Sequence, residues 1–465
     1  MDLNSLVEGY REDIINSTKE IIAIPSVQGE PLAGKPFGEG VAEALDYACN
    51  LARNLGFHVV DVDGYGAHAE IGEGDETLGI LVHLDVVPAG EGWTYEPYSP
   101  QIHDGKLYGR GAIDDKGPTI AAMYAMKALL DSGVKLNKKV RMIFGTDEES
   151  GWEGMEYYLS KQPMPQFGIV PDGNYPVIHA EKGILTLAFK KEFNGAEHIA
   201  SNIEGIKGGT RPNMVPDECL CVFSSPRDGD KVLTYLNTFR EYTKCNIEAD
   251  FNEAGGAVLR FMGKSAHAST PKKGVNAIAG TLGFLCSLGI GNSPMEQFIT
   301  FLNDRIGPDF DGDGLGIKLE DNVSGKLTLN LGKIDIDKER GEAVINIRYP
   351  VEYKLDDIMN RIYKAIEGTD VEVEIQGHSA PLYVPEDHPL VQKLLKIYNE
   401  QTGQEAKPIA IGGGTYARAT ENTVAFGAQF PGRPEMAHQK DEYIEVEDLI
   451  LNAKIYANAI YELTR

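Results

Sequence analysis

The chain has little cysteine, no long apolar run and a marked deficit of positive charge. Its five cysteines (Cys49, Cys219, Cys221, Cys245 and Cys286) are odd in number and form no Cys-x-x-Cys pair. With no signal peptide they read as reduced thiols of a cytosolic chain rather than a disulfide framework. The first residues, MDLNSLVEGYREDIINSTKEI, read as an acidic amphipathic helix and not as a targeting segment. No run of about 18 apolar residues occurs, so no membrane span is expected. Lysine and arginine total 44 against 70 aspartate and glutamate, a formal net charge of −26. That balance argues against nucleic acid and anionic membrane surfaces as partners. Internal repeats and low-complexity linkers are also missing. A soluble, cytoplasmic protein is expected.

What is present is ordinary globular composition, 42% apolar and 25% charged, over 465 residues, a length that predicts two or three domains. The first 180 residues alternate apolar strands with helical patterns. LGILVHLDVV (78–87) reads as a continuous apolar strand, and KKVRMIFGTD (138–147) and FGIVPDG (167–173) as short apolar strands ending in acids. GPTIAAMYAMKALLDSG (117–133) reads as a helix, with Pro118 in its first turn and Gly133 just beyond it. Such alternation predicts an α/β mixed sheet between helices, with ligands beyond the carboxyl ends of its strands. From about residue 184 to 379 the texture is α+β; from about 388 the α/β pattern resumes. The expected organisation is therefore a catalytic domain made of residues 1–183 and 380–465, interrupted by an inserted lid domain, 184–379.

Acids and histidines gather at the expected strand ends and turns. His83 and Asp85 lie in HLD, Asp114 and Asp115 in GRGAIDDKGP, Glu148 and Glu149 in GTDEES, Asp172 in VPDGN and His438 in EMAHQKDE. Three consecutive carboxylates, Asp147 to Glu149, repel one another and gain nothing in an ordinary surface loop. Imidazoles and carboxylates without thiolates are a donor set for Zn²⁺, Mn²⁺ or Co²⁺. One cation would leave most of these acids uncompensated; two sharing a carboxylate and a water would use them all.

Together, HLDVVPAG, YGRGAIDDKGP, GTDEESG, VPDG and SAHAS resemble the co-catalytic zinc peptidases, the family that includes aminoacylase, carboxypeptidase G and the dipeptidase PepV. The likeness runs through essentially the whole chain. Its length, the large insert, GGGTYARA (412–419) and RPNMVPDE (211–218) bring it nearest to the PepV-type cytosolic bacterial dipeptidases. The resemblance implies that His83, Asp114 and Asp172 hold one metal, and that Asp114, Glu149 and His438 hold the other. Asp114 is taken over Asp115 because the family's ligand is the first residue of its triplet. Asp85 would hydrogen-bond His83 and fix its tautomer, and Glu148 would be the general base. His267, in the insert, would stabilise the oxyanion. Asn213, Arg348 and the loop Gly412–Thr415, including Gly413 and Gly414, would hold the substrate. That loop is no Walker motif, because it lacks the Gly-Lys-Ser/Thr ending.

The activity implied is hydrolysis of dipeptides with a free amino terminus, using two divalent metal ions per chain, zinc first and manganese or cobalt as alternatives. The expected partner is a dipeptide, with no nucleic acid, no membrane and a monomeric chain. Within the same superfamily, an N-acyl amino acid deacylase or carboxypeptidase is the alternative. From a different class comes a non-enzymatic calcium-binding protein. Residues 309–320, DFDGDGLGIKLE, match the EF-hand pattern, with Asp309, Asp311, Asp313, Gly314 and Glu320 in register. However, Gly316 stands where an apolar anchor is usual, and GKLTLNLGKI afterwards reads as strand. An acidic turn is the preferred reading.

Overall fold

The computed structural model describes residues 2–193, 203–224, 235–239, 246–251 and 256–465; Cys245 lies outside them. Cys49, Cys219, Cys221 and Cys286 are free thiols. The structure forms two compact units. One comprises Met1–Ala180, Tyr383–Ala410 and Gly414–Arg465, the other Glu181–Leu382 with Ile411–Gly413.

The first unit is built on a nine-stranded mixed sheet. Its middle is parallel: Thr77–His83 lies between Lys139–Gly145 and Phe167–Val170, and Thr423–Ala425 continues the parallel run beyond Phe167–Val170. Strands His58–Asp61 and Ala67–Ile71 extend one edge antiparallel. Apart from their first residues, Thr77–His83 and Lys139–Gly145 are buried throughout, as strands covered on both faces must be. The helix Lys116–Asp131 buries 13 of its 16 residues, and Val446–Thr464 packs against it in the same apolar core. Because the central strands are parallel, their carboxyl ends open on one side. His83 pairs with Gly145 in register, so the residues that follow both strands emerge together.

The second unit is an eight-stranded antiparallel sheet. Helices Ala277–Ser287, Pro294–Arg305 and Leu355–Ile366 contribute to its apolar core. Leu355–Ile366 turns Ile358, Met359 and Ile362 inward, the spacing of an amphipathic helix. Pro294–Arg305 starts from a capping box between Ser293 and Glu296. Residues 411–413 group with this unit and not with the first. The physical cause is local. Arg348 Nη1 donates to the Gly412 carbonyl at 3.0 Å, and a Cβ on Gly412 would come within 2.8 Å of the Ser269 Cβ.

The EF-hand-like stretch is an acidic turn. Asp309 accepts the backbone N–H of Asp311 at 2.9 Å and of Gly314 at 3.2 Å. Lys318 Nζ sits 3.3 Å from both Asp311 and Asp313. Glu320 opens a two-residue strand, with no helix after it. Among the described residues these acids form no cluster able to hold a cation. The calcium-binding reading therefore gains no support from the structure.

Candidate metal centre

Every proposed metal residue lies in the first unit, at the carboxyl ends of its parallel strands or on the loops facing them. His83 ends its strand, Glu148 and Glu149 form a turn after Lys139–Gly145, and Asp172 follows Phe167–Val170 by two residues. Asp114 precedes the helix Lys116–Asp131, and His438 sits in a turn at φ 64°, an uncommon conformation for a side-chain-bearing residue.

The geometry centres on Asp114. Its Oδ1 is 2.9 Å from His83 Nε2, and its Oδ2 is 3.1 Å from His438 Nε2. His438 Nε2 also lies 2.8 Å from Glu149 Oε1, and His83 Nε2 lies 3.7 Å from Asp172 Oδ2. Two groups of donors can each converge on a cation: His83, Asp114 and Glu149, and His83, Glu148 and Asp172. The adjacent glutamates thus belong to different groups. Glu148 is therefore within ligating reach of the same point as His83 and Asp172.

The tautomer of His83 tests whether a cation fits. Its Nδ1 lies 2.9 Å from the Asp85 backbone carbonyl. A carbonyl only accepts, so Nδ1 carries the hydrogen and neutral His83 turns a bare Nε2 lone pair toward Asp114. Two acceptors at 2.9 Å need something positive between them: a proton, or a metal ion. At His438 a single ring nitrogen, Nε2, faces both Asp114 Oδ2 and Glu149 Oε1. In the cation-free protein, protons fill that role. Burial opposes it, yet Asp114 and Asp85 hold His83 well above its ordinary value. Asp114 and Glu149 likewise push His438 up to about 11 against burial. Burial, then Asp114, pushes Asp172 up to about 7; burial also raises Glu148 and Glu149. A divalent cation would reverse these shifts by supplying the missing positive charge. The donor set therefore fits one.

Two placements depart from the sequence reading. The Asp85 side chain does not carry the short bond to His83: its Oδ1 stands 3.6 Å from Nδ1, and the backbone carbonyl takes the hydrogen. Its carboxylate instead accepts the N–H of Glu148 at 3.1 Å and of Glu149 at 3.0 Å. The two glutamates lie in a turn and not in an extended strand end. Asp115 is in neither donor group, and its Oδ2 accepts the His83 backbone N–H at 3.2 Å.

Tyr416 was not singled out by sequence. It is buried against Trp152 and His83, and a Cβ on Gly145 would meet its ring at 2.4 Å. Its only signal was an aromatic residue just after a Gly-rich turn.

The remaining candidates belong to the second unit or its border. Asn213 and His267 are neighbours: the Asn213 carbonyl accepts the Ala268 N–H at 2.9 Å, and Met214 bridges to His267. His267 Nδ1 accepts the Ser269 N–H at 3.2 Å, which places its proton on Nε2. Arg348 is 4% exposed and donates from Nε to Asn346 at 2.8 Å and from Nη1 to the Gly412 carbonyl at 3.0 Å. Gly413 groups with the second unit, whereas Gly414 and Thr415 group with the first. The Thr415 hydroxyl accepts the Ala417 N–H at 3.1 Å and caps the short helix Tyr416–Ala419.

Known proteins resemble this chain in sequence and in fold. The chain is 43% identical over 460 residues to "Putative dipeptidase YtjP" of Bacillus subtilis, with 98% of each chain covered. Its fold is similar to that of human carnosine dipeptidase 1, with a TM-score of 0.62, 16% identity and coverage of 100% of this chain and 98% of that one. It is also similar to the di-peptidase Dug1p from Saccharomyces cerevisiae, with a TM-score of 0.61, 14% identity and the same coverage. Among the described residues no helix is long and apolar enough to cross a membrane. Residues 79–462 match peptidase family M20/M25/M40, and the chain belongs to that family and is a metallopeptidase.

Proposed function

We propose that the chain is a dipeptidase that hydrolyses dipeptides with a free amino terminus, using two divalent cations. The observation that carries this reading is the division of Asp114, whose two oxygens each face a different histidine. A carboxylate so shared is the natural bridge between two cations. His83 and Asp172 would complete one site, Glu149 and His438 the other. The name of the Bacillus subtilis relative supports the substrate class.

Bound cations would supply Lewis-acid polarisation of the scissile carbonyl and would acidify the attacking water. Glu148 takes the proton from that water and hands it to the leaving amine, as a general base then acid. Asp85 holds Glu148 at its backbone N–H, so the carboxylate is presented without being consumed by the fold. The His267 tautomer, with hydrogen on Nε2, suits a donor to the developing oxyanion. Arg348, Asn213 and Gly412–Thr415 would hold the substrate, Arg348 acting in part through the Gly412 carbonyl it binds.

The test is a substrate panel on metal-reconstituted protein. A free dipeptide, its N-acetyl derivative, its C-terminal amide and a tripeptide are compared by kcat/KM, before and after chelation. Hydrolysis of the free dipeptide alone, lost with chelator and restored by Zn²⁺, Mn²⁺ or Co²⁺, is the expected result. Preference for the N-acetyl compound would establish the deacylase alternative, and full activity in metal-free protein would overturn the two-cation reading.

A further inference from the structure

Asp114 and His438 come from loops more than 300 residues apart in sequence, and the buried ion pair of Arg110 and Glu442 ties those loops together. Arg110 Nη1 donates to Glu442 Oε2 at 2.6 Å, and the two side chains are 2% and 0% exposed. Glu442 Oε1 accepts the backbone N–H of Ile113 at 3.0 Å and of Asp114 at 3.3 Å. The Glu442 carbonyl accepts the Gly109 N–H at 2.9 Å. Arg110 Nη1 also donates to the Gln439 carbonyl at 3.2 Å, and Nη2 donates to the Pro88 and Ala89 carbonyls at 3.4 Å each. The guanidinium also lies 5.2 Å from the centre of the Trp93 ring.

The pattern is reciprocal. A glutamate four residues after His438 grips the backbone of Asp114. An arginine four residues before Asp114 grips the backbone beside His438. Stability alone does not explain such a pair, because desolvating two charges cancels much of their attraction. What the pair supplies is a fixed distance between two loops. Across that distance stand Asp114 Oδ2 and His438 Nε2, 3.1 Å apart.

We propose that Arg110 and Glu442 are positioning residues that clamp Asp114 against His438 and thereby set the affinity of the cation site built from Asp114, Glu149 and His438. This rests on the two-cation reading above. The His83 and Asp172 side of the centre sits on strand ends and depends less on the clamp.

Arg110→Lys keeps the charge partner of Glu442 but loses the planar fork that reaches Gln439, Pro88 and Ala89. Glu442→Gln keeps an acceptor for Ile113 and Asp114 but removes the ion pair. Both are purified metal-free, checked for folding by circular dichroism, and titrated with Co²⁺ by calorimetry and visible absorption. Wild type and His438→Ala serve as references. The expected result is two binding events in wild type, with one weakened roughly 10- to 100-fold in each folded variant, the usual loss when a partner behind a ligand is removed. The weakened event should be the one His438→Ala abolishes, and excess metal should restore kcat. Should Glu442→Gln fail to fold, Arg110→Lys decides the question. Two unchanged events in the folded variants, or equal weakening of both, overturn the clamp while the two-cation reading stands. A wild-type chain that binds no divalent cation overturns that reading, and the clamp with it.

Discussion

The Asp85 carboxylate lies beneath both glutamates of GTDEES, Oδ1 accepting the N–H of Glu148 at 3.1 Å and Oδ2 that of Glu149 at 3.0 Å. His83 is held by the Asp85 backbone carbonyl, which every substitution at position 85 preserves. Asp85→Asn therefore isolates the hold on the turn. The amide keeps one acceptor and turns an NH₂ toward the other backbone N–H. Leaving a buried N–H unsatisfied costs roughly 1–3 kcal/mol, and the turn shifts to avoid it. The expected outcome is a fall in kcat of about 10- to 100-fold, with weaker binding of the cation that Glu149 serves. Unchanged kcat and metal content in Asp85→Asn would show that the carboxylate has no part in placing either glutamate.

This relationship marks where sequence stops being informative. His83, Glu148, Glu149 and Asp172 were legible as candidates because apolar strands run into them, and a parallel sheet brings such ends to one side. Asp114 and His438 were singled out from a Gly-rich turn and a loop, and their roles as ligands came from the family resemblance. The long insert was legible from its change of texture. The bonds of Asp85, Arg110 and Glu442 to backbone groups were not, since a side chain's choice between a neighbouring imidazole and a neighbouring N–H depends on turn geometry that composition does not encode. The place of Ile411–Gly413 was hidden for the same reason, because three residues are captured there by an arginine 64 positions away.

A second prediction concerns His267 and Arg348. The Ser269 N–H fixes hydrogen on His267 Nε2, so His267→Ala should lower kcat while leaving metal stoichiometry at the wild-type value. Arg348→Ala loses its bonds to Asn346 and to the Gly412 carbonyl. It should raise KM more than it lowers kcat and reduce discrimination against C-terminally amidated dipeptides. Wild-type kinetics in both variants would remove the second unit from the reaction.

A third lies away from the metal centre. His68 is 2% exposed and its Nδ1 is 2.9 Å from the Tyr158 hydroxyl. Burial, with Arg141 adding, pushes His68 down to about 4. The unfolded chain binds this proton near pH 6.5 and the folded chain only near 4, so stability is lost as pH falls through that window. At pH 5 the loss is on the order of 2 kcal/mol. His68→Gln should therefore narrow the difference in urea-unfolding free energy between pH 7 and pH 5. An unaltered difference would mean that His68 already titrates normally in the fold.

The last prediction separates the adjacent glutamates. Glu149 Oε1 lies 2.8 Å from His438 Nε2, whereas Glu148 groups with His83 and Asp172. If Glu149 is a ligand, Glu149→Gln replaces an anionic oxygen with a weaker neutral donor, and one cation should be lost or bound loosely. Excess metal should then recover part of the activity. If Glu148 is the base, Glu148→Gln keeps the size of the side chain and its backbone bond to Asp85 but cannot accept a proton. It should retain both cations, still bind dipeptide and lose roughly 10²- to 10⁴-fold in kcat, the range for a positioned acid–base group. Added metal should not help it. Metal stoichiometry measured beside kcat on the two purified variants distinguishes the roles. Because Glu148 stands close enough to His83 and Asp172 to bind a cation itself, the decisive observation is its metal content: a Glu148→Gln protein that sheds an ion makes Glu148 a ligand and leaves the base to be found elsewhere.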